Sequence, residues 1–528
     1  MKIKSSFFKA PFHLLLSLCL LSCNSEVEVD TPPNVIYILA DDMGLGDVSI
    51  YNPEGKIKTP HLDAMAKAGM RFTDAHTTSS VCTPTRYGII TGRYNWRTFL
   101  KQGVLTGKSP AMIPESRTTV ASLMKKNGYQ TAFIGKWHLG WDWTWKTDVE
   151  DTGTGWGPND FEAIDFAGPV TNTPNDLGFD YAYGHPASLD IAPYVYVENG
   201  QVTGLPDKVT IDTGEYSWWR NGPTGSDFVH EEVTPSFFQR SNAFIKEQAE
   251  KGQAYFLYLA LPSPHTPILP TGEWDGKSNF LPYADFVMQI DHYIGELLKV
   301  IEDSGQADNT LVIFTTDNGC SPAAGYDRMV EMGHFPNLHY RGHKADIYDG
   351  GHRVPFIAKW PKQIEAGQVS DQLICTTDLM ATLADILDYD LQANEGEDSF
   401  SMLPTLKQDE AQSEGRSALV HHSVNGSFAI REGDWKLILV PGSGGWSYPS
   451  PGRDQAILDT LPPVQLYNMK DDPGESSNLQ GQYPEKVLQL QQLLADYIQK
   501  GRSTPGPSQS NDDFTGEWQQ IAWMEELK

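Results

Sequence analysis

Residues Ser79-Ser80-Val81-Cys82-Thr83-Pro84-Thr85-Arg86-Tyr87-Gly88-Ile89-Ile90-Thr91-Gly92-Arg93 set a proline two positions and an arginine four positions after a single cysteine, where an apolar run begins. Proline is tolerated in the first turn of a helix because its missing N–H would lack a partner there anyway. The pattern predicts a helix beginning near Cys82, at an N-terminus whose free N–H groups and dipole favour an anion. Arg86, four residues on, falls on the same helical face. Its planar fork suits a sulfate or a phosphate. A buried cysteine that only caps a helix would fit the same three residues, so the flanking chain has to decide.

Working outward, the run 34–40 (Asn-Val-Ile-Tyr-Ile-Leu-Ala) is continuously apolar and β-branched, as a strand buried on both faces of a parallel sheet should be. It ends in Asp41-Asp42-Met43-Gly44. Ligands bind at the carboxyl ends of such strands. Adjacent carboxylates repel, and a hard cation is the usual reason to tolerate that; a solvated turn is the competing reading. Strand 310–316 ends likewise in Asp317-Asn318-Gly319, a second pair of oxygen ligands. Strand 129–135 runs into Lys136-Trp137-His138, where Lys136 and His138 point to one side of an extended chain. Strand 254–260 leads to Pro262-Ser263-Pro264-His265-Thr266-Pro267. Prolines hold that histidine rigid, as suits a sulfate ligand or a general acid; loop filler is the alternative. Helices are expected over 118–128, 234–250, 283–303 and 376–387, and a strand over 355–360.

C-T-P-T-R at 82–86, V-I-Y-I-L-A-D-D-M-G at 35–44, G-K-W-H-L-G at 135–140 and D-N-G at 317–319 resemble, in their order along the chain, the motifs of the type I sulfatases. The loop 340–355, with Lys344 and Asp349, resembles that family's lysine-bearing loop, and the likeness covers 34–499. It implies an α/β fold of the alkaline phosphatase superfamily: a large mixed, mostly parallel sheet between helices, plus a smaller C-terminal α+β domain with an antiparallel sheet. It also implies that a maturase oxidises Cys82 to Cα-formylglycine, whose hydrate is the nucleophile. Asp41, Asp42, Asp317, Asn318 and the modified Cys82 are expected to hold one Ca²⁺, with Mg²⁺ the other choice for an all-oxygen set. Arg86, Lys136 and Lys344 are expected to neutralise the sulfuryl oxygens. His265, with Lys344 nearby, should protonate the leaving sugar oxygen, and His138 should take the proton whose loss expels sulfate. The same motif serves phosphate and phosphonate monoester hydrolases, and a non-catalytic sulfoglycan-binding lipoprotein is a third reading. The texture around Cys82 and Lys136 favours sulfate, and no expected site residue is missing.

Between 141 and 230 the chain is rich in Gly, Pro, Asn and Trp with weak periodicity, which predicts loops and short hairpins over the site. His185, Asp190, His343 and His352 are the expected sugar contacts, with the tryptophans at 141, 143, 145 and 156 as stacking faces or as packing. The expected substrate is a sulfated saccharide attacked at its end, with 6-O-sulfated galactose or N-acetylgalactosamine leading. Beyond Arg416 the texture turns antiparallel, with two alternating runs about Glu432-Gly433-Asp434, a further strand at 465–469 and an amphipathic helix over 487–499. The boundaries follow as 34–415 for the catalytic domain, 416–500 for the small domain and 501–528 for an extended tail.

Composition sets the outer limits. Asp and Glu number 68 against 40 Lys and Arg, a net charge of −28. Such a surface repels nucleic acid, so no nucleic-acid partner is expected, and an anionic substrate needs a local cluster of cations. Five cysteines in 528 residues do not make a disulfide framework. Lys2, Lys4 and Lys9 precede an apolar stretch too short to span a bilayer, and Leu20-Leu21-Ser22-Cys23 resembles a bacterial lipobox. A signal peptide over 1–23 and a tether over 24–33 are expected, giving a lipoprotein exported across the inner membrane and anchored at Cys23 in the periplasm or outer membrane. That lipid would be its only membrane attachment.

Overall fold

Seven consecutive residues with no exposed surface, Asn34 excepted at its edge, make the first strand of the molecule, β1 (Asn34–Ala40). The computed structural model describes residues 1, 4, 32–151, 153–157, 159–409 and 415–527. The chain divides after Pro32; the lipidation site at Cys23 and nearly all of the expected signal peptide and tether lie outside the described residues. Among the described residues no helix is long and apolar enough to cross a membrane.

The strands that follow are β2 (Met70–Phe72), β3 (Gln130–Lys136), β4 (Tyr181–His185), β5 (Tyr255–Ala260), β6 (Thr310–Thr316), β7 (Phe356–Lys359) and β8 (Gln368–Ser370). They form a ten-stranded sheet in the order β8-β2-β7-β6-β1-β5-β3-β4, extended at the far edge by Val197–Glu198 and Gln201–Val202. β6, β1, β5, β3 and β4 run parallel, and β7 is antiparallel to β6. Parallel strands need crossovers that cover both faces, which is why these five read as unbroken apolar runs. The cover comes from α5 (Pro282–Asp303), which touches both α1 (Pro60–Lys67) and α4 (Val233–Lys251), and from α2 (Cys82–Thr91), α3 (Val120–Lys126) and α6 (Leu379–Ile386), which touch one another.

Local chemistry sets the helix ends. Proline opens α1 and α5, Thr119 Oγ1 accepts from the Ser122 N–H at the start of α3, and Gly92 and Gly252 close α2 and α4 in the left-handed conformation. The α3 cap trims the expected 118–128 helix, and 376–378 is a 3₁₀ turn preceding α6.

β9 (Ala418–His422), β10 (Phe428–Glu432), β11 (Trp435–Ile438) and β12 (Gln465–Asn468) form an antiparallel meander in chain order, as the alternation predicts. α7 (Pro484–Lys500) lays Leu490, Leu494 and Ile498 on it, in a core shared with Tyr94, Trp96 and Cys375. That sheet belongs to the same compact unit as the large one. The tail departs from the expected extended form: Gln519–Leu527 is a 3₁₀ helix. Trp518 packs 6.3 Å from Trp96 and under the Lys101 ammonium at 4.0 Å. Aromatic residues near the end of a polar tail bury enough area to bring it back to the core.

Candidate active site

The five parallel strands release their chains at one edge of the sheet, each with different chemistry. β1 delivers Asp41-Asp42, β3 Lys136 and His138, β4 His185, β5 the turn to His265, and β6 Asp317-Asn318. Gly135 makes this spacing feasible, since a Cβ there would lie 1.8 Å from the Ala260 carbonyl oxygen, and its φ of 136° is closed to other side chains. α2 points its first residue, Cys82, at the same spot. Asp42, His138 and Ala345, with φ of 63°, 55° and 78°, hold left-handed backbone that non-glycine residues seldom adopt. Such strain gathers where surroundings over-determine a functional geometry.

Three buried carboxylates and three buried cations interlock here. Lys136 Nζ donates to Asp41 Oδ2 at 2.5 Å, and Lys344 Nζ lies 2.7 Å from Asp42 Oδ1. Arg86 Nε donates to Asp317 Oδ2 at 3.0 Å, and Nη2 reaches Asp41 Oδ2 at 3.3 Å. Asn318 Nδ2 donates to Asp42 Oδ1 at 2.7 Å. Burial would raise the Asp41 carboxyl, but Lys136 foremost, then His265 and Arg86, hold it well below the usual carboxylate range. Asp317 goes the other way, to about 6, through burial and the neighbouring Asp41 charge. Asp41 Oδ1 and Asn318 Oδ1 are buried without a hydrogen-bond partner among the described residues. Orphaned oxygens beside crowded carboxylates, with Asp41, Asp42, Cys82 and His265 able to converge on one point, fit a hard divalent cation. The carboxylates and cations already cancel, so such an ion would leave about two net positive charges for an anionic substrate.

Arg86 is the first correction. Its guanidinium is fully buried and turned onto Asp317, Asp41 and the carbonyls of Lys136 (3.0 Å) and Leu261 (3.4 Å), so it clamps the acidic frame in place of offering a free fork to sulfate. Lys136, just as buried, donates to Asp41, and Lys344, 5% exposed, lies against Asp42, so these two cations of the expected trio also stand on the acidic frame. Burial pushes the Cys82 thiol up to about 11, so the unmodified side chain is a neutral thiol at pH 7.

The two expected acid–base histidines have defined tautomers. His138 Nε2 donates to the Leu105 carbonyl at 2.8 Å, leaving Nδ1 buried with a free lone pair. Burial, then Lys136, keeps this ring neutral. Thr83, next to Cys82, ties that strand end down by donating to the His138 carbonyl at 2.9 Å. His265 Nδ1 donates to the Thr266 carbonyl at 2.5 Å and turns Nε2 toward Asp42 Oδ2, 3.6 Å away.

The expected sugar contacts divide. Asp190 lies 3.9 Å from His265 Nδ1 and pairs with Arg220, whose guanidinium stacks 5.0 Å from Trp156 and 5.3 Å from Trp218. Trp156 and Trp145 are exposed, whereas Trp141 and Trp143 are packed in the core. His185 is buried against Phe237, its Nε2 unpaired among the described residues, and burial followed by Lys136 lowers its pKa well below the ordinary value. His343 sits half-buried between Asp346 and Tyr326. His352 is the second correction: it has no exposed surface and meets His76, Lys436 and the Ile347 carbonyl in a separate cluster, so it cannot reach a sugar. Arg220 was not legible in the sequence, because an arginine in an aperiodic hairpin carries no pattern. The adjacent Trp218 and Trp219 were its only signal.

The sulfatase family model matches residues 33–389. An N-acetylgalactosamine-6-O-sulfatase of Bacteroides thetaiotaomicron is 33% identical, with 91% of this chain and 97% of that protein covered. Human arylsulfatase A is 31% identical over 95% of this chain and 94% of its own length. A solved structure from work on the metabolism of multiple glycosaminoglycans by B. thetaiotaomicron superposes with a TM-score of 0.75 at 31% identity, covering 88% of this chain and 98% of that one. With the alkaline-phosphatase-like sheet and the charged edge that carries Cys82, these likenesses lead to one conclusion: the chain belongs to the sulfatase family and is a sulfuric ester hydrolase.

Proposed function

We propose that the enzyme removes sulfate from the terminal residue of a sulfated glycan, with 6-O-sulfated galactose or N-acetylgalactosamine as the leading substrate. The observation that carries this reading is 33% identity across nearly the whole of an N-acetylgalactosamine-6-O-sulfatase, and the cluster of Lys136, Lys344 and buried carboxylates beside Cys82 at the sheet edge supports it. The aromatic and charged rim of Trp156, Trp218, Arg220 and Asp190 supports a saccharide, since rings stack on pyranose faces and the ion pair can exchange hydrogen bonds with hydroxyls.

Asp41, Asp42, Asp317 and Asn318 would hold a divalent cation, for which calcium is the choice, with magnesium next. That ion would supply Lewis acidity at the sulfate, and formylglycine made from Cys82 by a maturase would supply a geminal diol as the nucleophile. Lys136 and Lys344 neutralise and orient the sulfuryl oxygens. His265, whose Nδ1 proton is committed to Thr266, presents Nε2 as the atom that would hand a proton to the departing sugar oxygen. His138 accepts a proton at Nδ1, the nitrogen that its bond to Leu105 leaves free. Arg86 holds Asp41 and Asp317 in register. Export and lipidation at Cys23 would put this chemistry where polymeric glycans are met.

A panel of 6-, 4- and 3-sulfated galactose and N-acetylgalactosamine, with 6-sulfated N-acetylglucosamine and phosphate monoesters, tests the proposal. Preference for 6-sulfated galactose or N-acetylgalactosamine is expected. Preference for another sulfated isomer overturns the substrate, and preference for phosphate overturns the sulfate reading.

A further inference from the structure

Beside the sulfate site, segments 106–110 and 141–145 and the loop after them enclose a cavity of about 380 Å³, lined by Thr106, Lys108, Asp142, Trp143, Trp145 and Asp151 among others. That volume is in the range of small-molecule sites. Leu105, one residue before the cavity wall, takes the His138 Nε2 proton at 2.8 Å. We propose that this cavity is the subsite for the sugar next to the one that carries the sulfate, and that it takes an uncharged pyranose. The assignment rests on the glycan-sulfatase reading above.

Continuity with the sulfate site carries the inference. Loop 154–157 touches both the cavity and the charged rim. Gly155 comes so near the cavity wall that a Cβ there would lie 2.4 Å from Thr106 Oγ1. The next residue, Trp156, lies 5.0 Å from the Arg220 guanidinium, which pairs with Asp190 beside His265. Asp160 fixes the loop, since its Oδ2 accepts the N–H groups of Gly155, Trp156 and Gly157 at 2.7, 3.0 and 2.9 Å. On the other wall Trp143 Nε1 donates to the Gly107 carbonyl at 3.0 Å. Gly107 in turn packs on Ala192, two residues beyond Asp190, where a Cβ would lie 2.1 Å from the carbonyl oxygen. The walls are therefore built on the segments that place His138 and Asp190, as adjoining subsites for one glycan require.

The lining suits a pyranose. Trp145 is 40% exposed, and no ring or cation among the described residues stacks on it, whereas Trp156 carries Arg220 and Trp141 packs edge-on against Trp143. A free indole face matches the apolar face of a sugar ring. The Lys108 side chain is only 8% exposed, and among the described residues its ammonium meets Asp151 alone, at 2.5 Å. Two of its three N–H donors are left for hydroxyl oxygens, and Asp151 can accept a hydroxyl proton. Asp142 and Asp151 against Lys108 leave the lining one negative charge, which turns away a uronate or a second sulfate. The rival is a cavity that only packs the loop. Packing would cover the indole and would not bury an ammonium with donors unmet.

The test is the ratio of kcat/KM for a disaccharide, sulfated on its terminal sugar, to kcat/KM for the sulfated monosaccharide. Both are built on whichever sulfated sugar the enzyme turns over best, so an error in the sulfated position leaves the comparison intact. With a neutral hexose as second sugar, wild type is expected to favour the disaccharide by about tenfold. Trp145→Ala should bring that ratio close to unity, Trp145→Phe should keep part of it, and Lys108→Met should lower it. A ratio taken within one enzyme does not depend on how much of a variant folds. A wild-type ratio near unity overturns the proposal, as does a ratio that Trp145→Ala leaves at its wild-type value. So does a uronate-linked disaccharide that is preferred over the neutral one. Failure to turn over any sulfated saccharide would instead overturn the glycan reading on which the subsite rests.

Discussion

Two buried polar clusters lie within a few residues of Cys82, and each sets three carboxylates against three cations. At the sheet edge Asp41, Asp42 and Asp317 meet Lys136, Lys344 and Arg86. Under the C-terminal sheet Asp74, Asp349 and Glu475 meet Arg353, Arg431 and Lys436. The first has oxygen donors, strained backbone at Asp42 and His138, and a mouth lined by Trp156 and Arg220. The second has histidines in place of open oxygens and no exposed side chain among them. Charge balance alone therefore does not mark an active site. Unsatisfied donors that face an opening do, and a closed balanced cluster of the same size reads as a clamp between parts of the fold.

The contrast is sharpest where substitutions should act on different quantities. Asp317→Ala removes a carboxylate from the open cluster and leaves Arg86 without its main partner. Its turnover should fall by about 10⁴-fold or more, measured on a sulfated monosaccharide. Chelation should likewise abolish turnover, and Ca²⁺ or Mg²⁺ should restore it; insensitivity to an accessible chelator would remove the cation from the open cluster. His138→Ala should cost about 10²–10⁴-fold in kcat with little change in melting temperature.

The closed cluster should answer in the other way. Lys436→Met leaves Glu475 without its cation and Asp349 with Arg353 alone, and should destabilise the fold by about 3–5 kcal/mol, read by denaturant titration. The kcat of the remaining folded enzyme should stay within about twofold of wild type. A large kcat loss without destabilisation would erase the distinction between the clusters. The smallest effect is expected at Trp518→Ala, about 1–2 kcal/mol of stability and none on kcat, because that ring is only partly buried over Trp96 and Phe428.

The sheet was legible because its central strands are buried on both faces, so β1, β5 and β6 stand out as unbroken apolar runs. The charged edge was legible for the same reason: the β1 and β6 runs stop at Asp41 and Asp317, a residue type that a core would reject. What could not be read is orientation within a cluster. Arg86 and a sulfate-binding arginine have the same spacing from Cys82, and only the positions of Asp317 and Leu261, brought in from distant strands, show where its guanidinium turns. His352 sits in a loop of the right composition, yet its neighbour His421 is 69 residues away and belongs to another sheet. Aperiodic chain such as 141–230 fixes its side chains through tertiary contacts alone, so Arg220 left no signal in the sequence beyond its neighbours Trp218 and Trp219.

The central claim is that Cys82 becomes the reactive group, and mass spectrometry of active enzyme from its native host tests it most directly. The tryptic peptide containing residue 82 is expected to be lighter by about 18 Da than the cysteine form, with specific activity rising in proportion to that fraction. Fully active enzyme in which residue 82 is found only as unmodified cysteine would contradict it.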